Sequence, residues 1–250
     1  MKNNFLNKSV ANIYFKPFSN SEVVSQILYG EKFKILLKRK KWIKIKTHYD
    51  NYVGYIKNDN FLKNFNPSFK ISKIKSRIFL KKGKKFLSSS HHLYYGSGLC
   101  KRNENKNYIE FEKNKWVKKS DVKNIDHHEK NYIKIFKFFL NTKYLWGGKT
   151  CDGIDCSALI QIYFYYNRIF FPRDTKDQIR FCKRKRSKNR LKGDIVFWKG
   201  HVGICLNKSR FIHAYGPKKK VIIMPTAQTI KLIDKTANLK VKKVSNISNI

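Results

Sequence analysis

The sequence predicts an α+β protein in which small all-β modules precede a mixed domain of helices and sheet. Three observations predict this class. Brief apolar or alternating segments recur about every 8–12 residues in the front half. The period becomes helical beyond Asp126, and short strands return from Ile195 onward. Of the 250 residues, 41% are hydrophobic and 15% aromatic, which is enough for more than one packed core.

The front half is interpreted as two similar sets of short strands. Trp42–Lys46 alternates apolar and basic side chains, as a half-buried strand does. Gly30, Asn51 and Gly54 interrupt the strands of the first set, and a second set follows Pro67. The sequence therefore predicts a weak internal repeat of two small barrels or sandwiches. The predicted strands are 13–15, 23–28, 33–37, 42–46 and 52–56, then 69–71, 76–80, 108–111 and 116–118.

The back half begins with two predicted helices. The first starts at Asp126, with residues 127–129 in its first turn, and ends before the glycine-containing loop 144–148. The second starts near Cys156 and runs through Phe164. The basic segment 183–190 is interpreted as a solvated loop. Strands are predicted at 195–198, 202–206, 211–214 and 221–224, and a helix followed by a small antiparallel sheet indicates an α+β arrangement.

The charge balance is strongly basic. Lys plus Arg is 56 and Asp plus Glu is 16, so the formal net charge is +40. Such a balance suggests polyanionic partners. The lysines, however, are spread from Lys2 to Lys243 among many Asn and Ile residues, which favours a general compositional bias. We therefore do not expect nucleic acid as a partner.

The sequence also indicates the cellular compartment of the protein and whether it needs a cofactor. The first residues lack the apolar core of a signal peptide, and no segment approaches the ~20 apolar residues of a membrane helix. The five cysteines are sparse, odd in number and without metal-ligand spacing. These features predict a reduced, cytoplasmic protein without a disulfide scaffold, a metal or another cofactor. Oligomeric state is left open.

Cys156, His201 and His213 are the candidate catalytic set. A thiol at a helix start lies beside unpaired N–H groups, which together with a nearby imidazole should lower its pKa. If Asn207–Ser209 forms a three-residue hairpin connection, Gly203 faces His213, and both imidazoles project from one face. One imidazole can then act as base while the other orients it. The remaining cysteines and histidines are interpreted as packing or surface residues: Cys100, Cys151, Cys182, Cys205, His48, His91, His92, His127 and His128.

Six ordered blocks in the back half resemble the NlpC/P60 cysteine peptidase domain. They are Tyr144–Gly148, Asp155–Ser157, Phe171–Arg173, Gly193–Phe197, His201–Ile204 and Phe211–Ala214. The resemblance implies a papain-like core with Cys156 as nucleophile, His201 as base and His213 as the orienting residue. It also places Tyr144 near the oxyanion site, where its phenol could donate to the developing negative charge.

The front half resembles bacterial SH3 domains. The blocks Ser19–Glu31 and Asp50–Tyr55, with Trp42 between them, are similar to one such domain, although Tyr55 stands where the pattern usually has Trp. Residues 66–123 resemble a diverged second copy. The predicted domains are therefore SH3-like 1–62, SH3-like 66–123 and NlpC/P60 126–245.

This layout is that of the γ-D-glutamyl-L-diamino acid endopeptidases of the dipeptidyl-peptidase VI type. The resemblance implies that Glu22, Tyr52, Asp155 and Ser157 hold the free amino terminus of L-Ala-γ-D-Glu-diaminopimelate. An ammonium held by two carboxylates and two hydroxyls gains charge-assisted hydrogen bonds, which makes this set chemically suitable.

The expected function is hydrolysis of the γ-D-Glu–diamino acid bond in released peptidoglycan stem peptides. Two alternatives stay open. One is an NlpC/P60 hydrolase that acts on intact cell-wall peptides or another amide. The other is a basic protein that binds wall polymer or nucleic acid and uses the thiol only for packing. Acetylation of the substrate amine separates the two peptidase hypotheses, and steep salt dependence of DNA binding would indicate the third.

Overall fold

A computed structural model of the chain describes residues 3–185 and 191–250. The chain divides into two compact units, Met1–Glu129 with Tyr166–Arg168, and Lys130–Tyr165 with Ile169–Ile250. No helix in the described ranges is long and apolar enough to cross a bilayer. Most of the basic segment 183–190 lies outside the described residues.

The first unit begins with a six-stranded antiparallel sheet in the order β1-β4-β5-β6-β2-β3. Its core contains Ile13, Ile27, Phe33, Ile45 and Ile56, which come from five different strands. The alternation predicted for Trp42–Lys46 holds, because Ile43 and Ile45 are buried. The strands are β1 Asn4–Phe5, β2 Val10–Tyr14, β3 Val23–Leu28, β4 Lys32–Lys38, β5 Trp42–Thr47 and β6 Val53–Lys57.

The rest of the first unit contains two further sheets, with strand orders β10-β7-β14 and β11-β12-β13-β8-β9. Tyr29, which directly follows β3, packs into their shared core with Ile78, Leu93 and Phe111. The strands are β7 Phe69–Ile71, β8 Lys75–Lys82, β9 Lys85–Tyr94, β10 Gly98–Leu99, β11 Asn103–Glu104, β12 Tyr108–Glu112, β13 Lys115–Lys118 and β14 Val122–Asn124.

The second unit contains most of the helical structure and one principal sheet. A short hairpin, β15 and β16, leads into helix α2, and the five-stranded antiparallel sheet has the order β20-β19-β18-β17-β21. The helices are α1 Tyr132–Phe138, α2 Cys156–Tyr166, α3 Thr175–Phe181 and α4 Thr226–Ala237. The strands are β15 Lys149–Thr150, β16 Gly153–Ile154, β17 Asp194–Trp198, β18 His201–Cys205, β19 Arg210–Tyr215, β20 Lys220–Pro225 and β21 Lys243–Asn246.

The predicted α+β class is confirmed, with an all-β front half followed by helices and an antiparallel sheet. The predicted start of the first helix is wrong. Asn131 caps α1, because its side chain accepts a hydrogen bond from the backbone N–H of Lys134, so residues 127–129 lie before the helix. Helices α3 and α4 were not predicted, and neither were strands β1, β9, β10, β11, β14, β15, β16 and β21. The predicted domain boundaries stay predictions.

The register of β18 and β19 is the one that the hairpin length predicts. Cys205 pairs with Phe211 and Ile204 with Ile212, and the backbone N–H of Leu206 donates to the carbonyl of Arg210 at 2.8 Å. This register places Gly203 opposite His213. A β-carbon at Gly203 would lie 2.5 Å from the ring of Phe211 and 2.8 Å from Cβ of His213. Only glycine leaves room for these two side chains.

We therefore expect Gly203→Ala to lower the free energy of unfolding by about 1–3 kcal/mol, because the methyl group overpacks a rigid sheet. Urea denaturation of the whole chain measures this loss. Gly216→Ala is the matched control, since its nearest neighbour is the Tyr144 ring at 3.7 Å, an ordinary contact. Equal stability of the two variants would contradict the close approach at Gly203.

Candidate active site

Cys156 is the first residue of α2 and is 3% exposed. The helix starts here because Asp155 caps it. The Oδ1 atom of Asp155 accepts a hydrogen bond from the backbone N–H of Ala158 at 2.8 Å, and its carbonyl accepts one from Leu159 at 3.0 Å. The predicted placement of the thiol at a helix start is thus confirmed.

Asp155 is also one half of a buried ion pair. Arg173 Nη2 lies 2.6 Å from Oδ2, and Arg173 Nη1 lies 3.0 Å from Oδ1. The side chain of Asp155 is 5% exposed and that of Arg173 is 1% exposed. Arg173 Nη1 also donates to Ser157 Oγ at 2.8 Å, and the backbone N–H of Gly147 donates to Asp155 Oδ2 at 3.0 Å. One carboxylate therefore joins the loop before β15 to the start of α2.

Asp155 and Ser157 are occupied by hydrogen bonds within the second unit. Ser157 Oγ donates to Asp155 Oδ1 at 3.0 Å and accepts from Arg173. Hydrogen-bond donors of the second unit thus already reach both carboxylate oxygens of Asp155. The observed role of the two residues is to hold the helix start. Their predicted role in binding the substrate amine stays a prediction.

The Cys156 thiol lies against the backbone on either side of His201. Its Sγ donates to the carbonyl of Gly200 at 3.9 Å. The backbone N–H of Val202 and the side chain of Thr175 also approach the sulfur and favour its thiolate form. The sulfur is therefore buried among polar groups at the start of β18.

The net effect of this environment is to raise the pKa of the Cys156 thiol to about 12. Burial is the largest cause, and the Asp155 carboxylate is the second. The expectation of a lowered thiol pKa is wrong, because it considered the helix start and the imidazole but not the loss of water. The Val202 N–H, Arg173 and Thr175 favour the thiolate, but their combined effect is smaller than the cost of desolvating it.

His201 and His213 form a hydrogen-bonded pair, as their predicted place on one face of the sheet requires. His201 Nε2 lies 2.9 Å from His213 Nδ1. The ring of Tyr215 stacks on His213 at 4.7 Å between centroids, and the ring of Phe211 lies 5.4 Å from it. His213 is completely buried, so its ring is fixed by packing on the sheet.

The pairing occupies Nε2 of His201 and leaves Nδ1 as the ring nitrogen that can act as a base. For this nitrogen to accept a proton, the proton of neutral His201 must be on Nε2, which then donates to His213 Nδ1. The proton of His213 is then on its own Nε2, which is buried without a hydrogen-bond partner among the described residues. The 2.9 Å contact can thus be made in the tautomer in which His201 acts as a base.

Burial lowers the pKa of both imidazoles. The pKa of His201 falls to about 4 through desolvation, and that of His213 to about 3 through desolvation and the neighbouring His201. At neutral pH the resting site therefore holds a neutral thiol and two neutral imidazoles. The proton must leave sulfur as the sulfur attacks.

A cavity of about 430 Å³ opens beside the base. His201, Tyr144 and Tyr215 line one part of it, and Leu232 and Thr236 of α4 line another. Burial raises the pKa of Tyr144, and the Cys156 sulfur beside it raises it further. The structure thus brings Tyr144 to the thiol and keeps its hydroxyl protonated, as an oxyanion donor must be.

Glu22 and Tyr52, the two remaining predicted site residues, belong to the first unit. Tyr52 Oη lies 3.5 Å from the carbonyl of Val24, and the backbone N–H of Tyr52 donates to Thr47 Oγ1 at 2.8 Å. The carbonyl of Glu22 accepts from the backbone N–H of Phe15 at 2.9 Å. The two residues thus lie near one end of β3 in the six-stranded sheet.

Sequence reasoning missed three contributors to the site: Arg173, Thr175 and helix α4. Arg173 was recognised in a family block but was given no role. A buried aspartate before a helix requires a compensating charge, which was the available signal. No sequence signal was found for the contact of Thr175 with the thiol or for the contribution of α4 to the cavity.

Comparisons with known proteins identify related domains in this chain. The NlpC/P60 family model matches residues 141–236, and the bacterial dipeptidyl-peptidase Sh3 domain model matches residues 13–61. The chain is 25% identical to dipeptidyl-peptidase 6 of Lysinibacillus sphaericus over 82% of its own length and 84% of that protein. It is 24% identical to γ-D-glutamyl-L-lysine dipeptidyl-peptidase of Bacillus subtilis over 85% and 79% of the two chains.

The fold is also that of a solved structure. An NlpC/P60 family protein from Bacillus cereus superposes with a TM-score of 0.81 over 98% of this chain and 99% of that one, at 19% identity. Over 34% of its length, the chain is 38% identical to a probable NlpC homologue of Haemophilus influenzae, and the match covers 49% of that relative. This chain therefore combines an NlpC/P60 peptidase domain with a bacterial SH3 domain and is homologous to dipeptidyl-peptidase 6 and to γ-D-glutamyl-L-lysine dipeptidyl-peptidase.

Proposed function

We propose that the protein hydrolyses the γ-D-Glu–diamino acid bond of released peptidoglycan stem peptides that carry a free N-terminal L-Ala. The observation that carries the proposal is the set Cys156, His201 and His213, in a chain whose similarity to two dipeptidyl-peptidases extends over both units. A cytoplasmic location is part of the proposal and derives from the sparse cysteine content.

The proposed acylation step uses Cys156, His201 and His213 in the roles of nucleophile, base and orienting residue. Cys156 Sγ attacks the amide carbon while its proton moves to Nδ1 of His201. The resulting imidazolium keeps its Nε2–H on His213 Nδ1, which stabilises the charge and holds the ring. Tyr144 can donate to the oxygen that becomes negatively charged.

In the second half of the reaction, His201 gives up the proton that it took from the thiol. His201 returns it to the nitrogen of the departing diamino acid, and the C–N bond breaks to leave a thioester on Cys156. A water molecule then attacks the thioester as His201 takes its proton, and Cys156 leaves as the thiol. The overall reaction consumes one water and releases L-Ala-D-Glu and the diamino acid fragment.

The free amine is assigned to Glu22, Tyr52, Asp155 and Ser157 by resemblance. Because Asp155 and Ser157 already bind Arg173, the carboxylate of Glu22 is the cleanest position at which to test this assignment. Replacing Asp155 would leave Arg173 buried without its counter-charge, and a loss of activity would then report unfolding as well as binding.

A second candidate is hydrolysis of intact cell-wall peptides. A murein DD-endopeptidase/LD-carboxypeptidase of Escherichia coli is 35% identical over 29% of this chain and 42% of its own length. That match is much shorter than those to the two dipeptidyl-peptidases, so we favour the released peptide as substrate. Sensitivity to N-acetylation separates the two candidates.

Hydrolysis of L-Ala-γ-D-Glu-diaminopimelate is the first expected outcome. Wild-type protein should release L-Ala-D-Glu, and Cys156→Ala should lower kcat/KM at least about 10³-fold because the nucleophile is removed. Cys182→Ala is the control, since that thiol is buried in the same unit without an assigned role. Absence of release by wild type, or equal release by Cys156→Ala, would defeat the proposal.

Acetylation of the substrate amine should lower kcat/KM about 10- to 100-fold, because the acids that hold the ammonium lose a charge-assisted partner. Glu22→Gln should reduce this preference for the free amine, mainly through KM. Glu104→Gln, a change at another acid of the first unit, is the control. Equal turnover of free and acetylated peptides by wild type would favour the intact-wall alternative.

The protonation state of the resting thiol gives a third expected outcome. With a thiol pKa of about 12 and a His201 pKa of about 4, the site holds neutral groups between about pH 5 and 9. The ultraviolet absorption of wild type minus that of Cys156→Ala should show no thiolate band in this range. A thiolate–imidazolium pair would show the band throughout it, which would contradict the raised thiol pKa.

A further inference from the structure

The cavity beside His201 is larger than the proposed proton transfers require. Its volume of about 430 Å³ lies within the ~300–1,000 Å³ that is usual for small-molecule sites. The whole lining belongs to the second unit. His201, Tyr144 and Tyr215 line one part, and the turn Gly216–Lys218, helix α4 and Leu239 line the rest. The cavity can therefore hold a part of the substrate in addition to the reacting bond.

The position of His201 indicates which part of the substrate this is. In the proposed reaction, His201 returns its proton to the nitrogen of the diamino acid, so that nitrogen must come within about 2.6–3.2 Å of the ring. The acyl side of the substrate is assigned to Cys156 and, for its amine, to Asp155 and Ser157. None of these three residues lines the cavity. A group that extends from His201 away from them enters the cavity, and that group is the departing diamino acid.

One wall of the cavity is apolar. Leu232, Ile233 and Ala237 of α4 contribute to it, together with Leu239 and Pro217. The diamino acids of stem peptides have a straight chain of methylene groups in their side chain. Such a chain gains free energy when it leaves water for an apolar wall. The wall thus suits the hydrocarbon part of the departing group.

The charge of the cavity is basic. Lys218 is exposed at the turn after β19, and no aspartate or glutamate of the described ranges lines the cavity. Asp234, an acid of α4, pairs with Lys240 at 2.6 Å. An ammonium that entered alone would therefore meet a like charge without a counter-ion, whereas a carboxylate would pair with Lys218.

We propose, on the basis of the proposed function, that the cavity beside His201 receives the departing diamino acid and that Lys218 pairs with one of its carboxylates. The apolar residues of α4 contact its methylene groups. The carboxylate is either the α-carboxylate, which lysine and diaminopimelate share, or the one at the far end of diaminopimelate. Lys218 is thus a specificity-determining residue, and peptides whose departing group has no carboxylate are poorer substrates.

Four tripeptides test the carboxylate with the full chain. They are L-Ala-γ-D-Glu followed by diaminopimelate, by lysine, or by the α-amide of either. The departing group of the lysine amide has no carboxylate, and its kcat/KM should be about fivefold below that of the best peptide, mainly through KM, because one ion pair is lost. A drop on amidation identifies the α-carboxylate as the partner of Lys218. A drop from diaminopimelate to lysine identifies the distal one.

Lys218→Gln should reduce this difference to less than about twofold, because the cation that recognises the carboxylate is gone. Lys219→Gln should keep the difference and is the matched control, because Lys219 adjoins Lys218 but does not line the cavity. Equal kcat/KM for the four peptides in wild type, or an undiminished drop in Lys218→Gln, would overturn the role of Lys218 while the proposed function stands. Hydrolysis of none of the four would refute the proposed function, and the subsite with it.

Ala237→Trp tests the place of the departing group independently of charge. Ala237 is exposed at the end of α4, so an indole ring there narrows the cavity without disturbing the core. It should raise KM for L-Ala-γ-D-Glu-diaminopimelate at least about fivefold more than KM for the γ-methylamide of L-Ala-D-Glu, whose departing group has no side chain. Ala227→Trp, in the exposed first turn of α4 and outside the lining, is the control. An unchanged KM, or an equal rise for both substrates, would refute the assignment of the cavity to the departing group.

Discussion

The buried ion pair between Asp155 and Arg173 is the interaction on which the active site depends. The same carboxylate caps α2, receives the Gly147 amide and contacts Ser157, so the residues on both sides of Cys156 are fixed through it. A buried pair of this kind adds little net stability, but removing one partner typically costs about 3–5 kcal/mol. Its role is therefore to specify where the helix begins and, with it, where the nucleophile lies.

Burial that fixes the nucleophile also keeps it neutral. The thiol, His201 and His213 all have pKa values displaced toward their uncharged forms, because the site excludes water. Catalysis then depends on proton transfer during attack, and the tautomer of His201 becomes critical. The His201–His213 hydrogen bond, fixed by strand register and by the ring of Tyr215, can be made in that tautomer without another charge in the site.

Much of the site could be predicted because its geometry is local. The three-residue hairpin connection sets the register of β18 and β19, and register alone places His201 and His213 on one face. The start of α2 is likewise local, since an aspartate cap precedes it. The thiol pKa could not be predicted, because it depends on how completely the tertiary fold excludes water from Cys156. Helix α4 was not predicted although its apolar residues recur at helical spacing, and its role at the cavity is again tertiary.

Two buried aspartates, Asp155 and Asp194, organise the second unit. Donors reach both oxygens of Asp155, and Lys185, the Leu191 amide and Asn246 surround Asp194, so these acids hold the second unit together. In the first unit, Tyr29 interacts with the Glu112 carboxylate, which also pairs with Lys115, so this acid too is held by its neighbours. The large positive charge of the chain does not locate a site, since lysines are spread along both units.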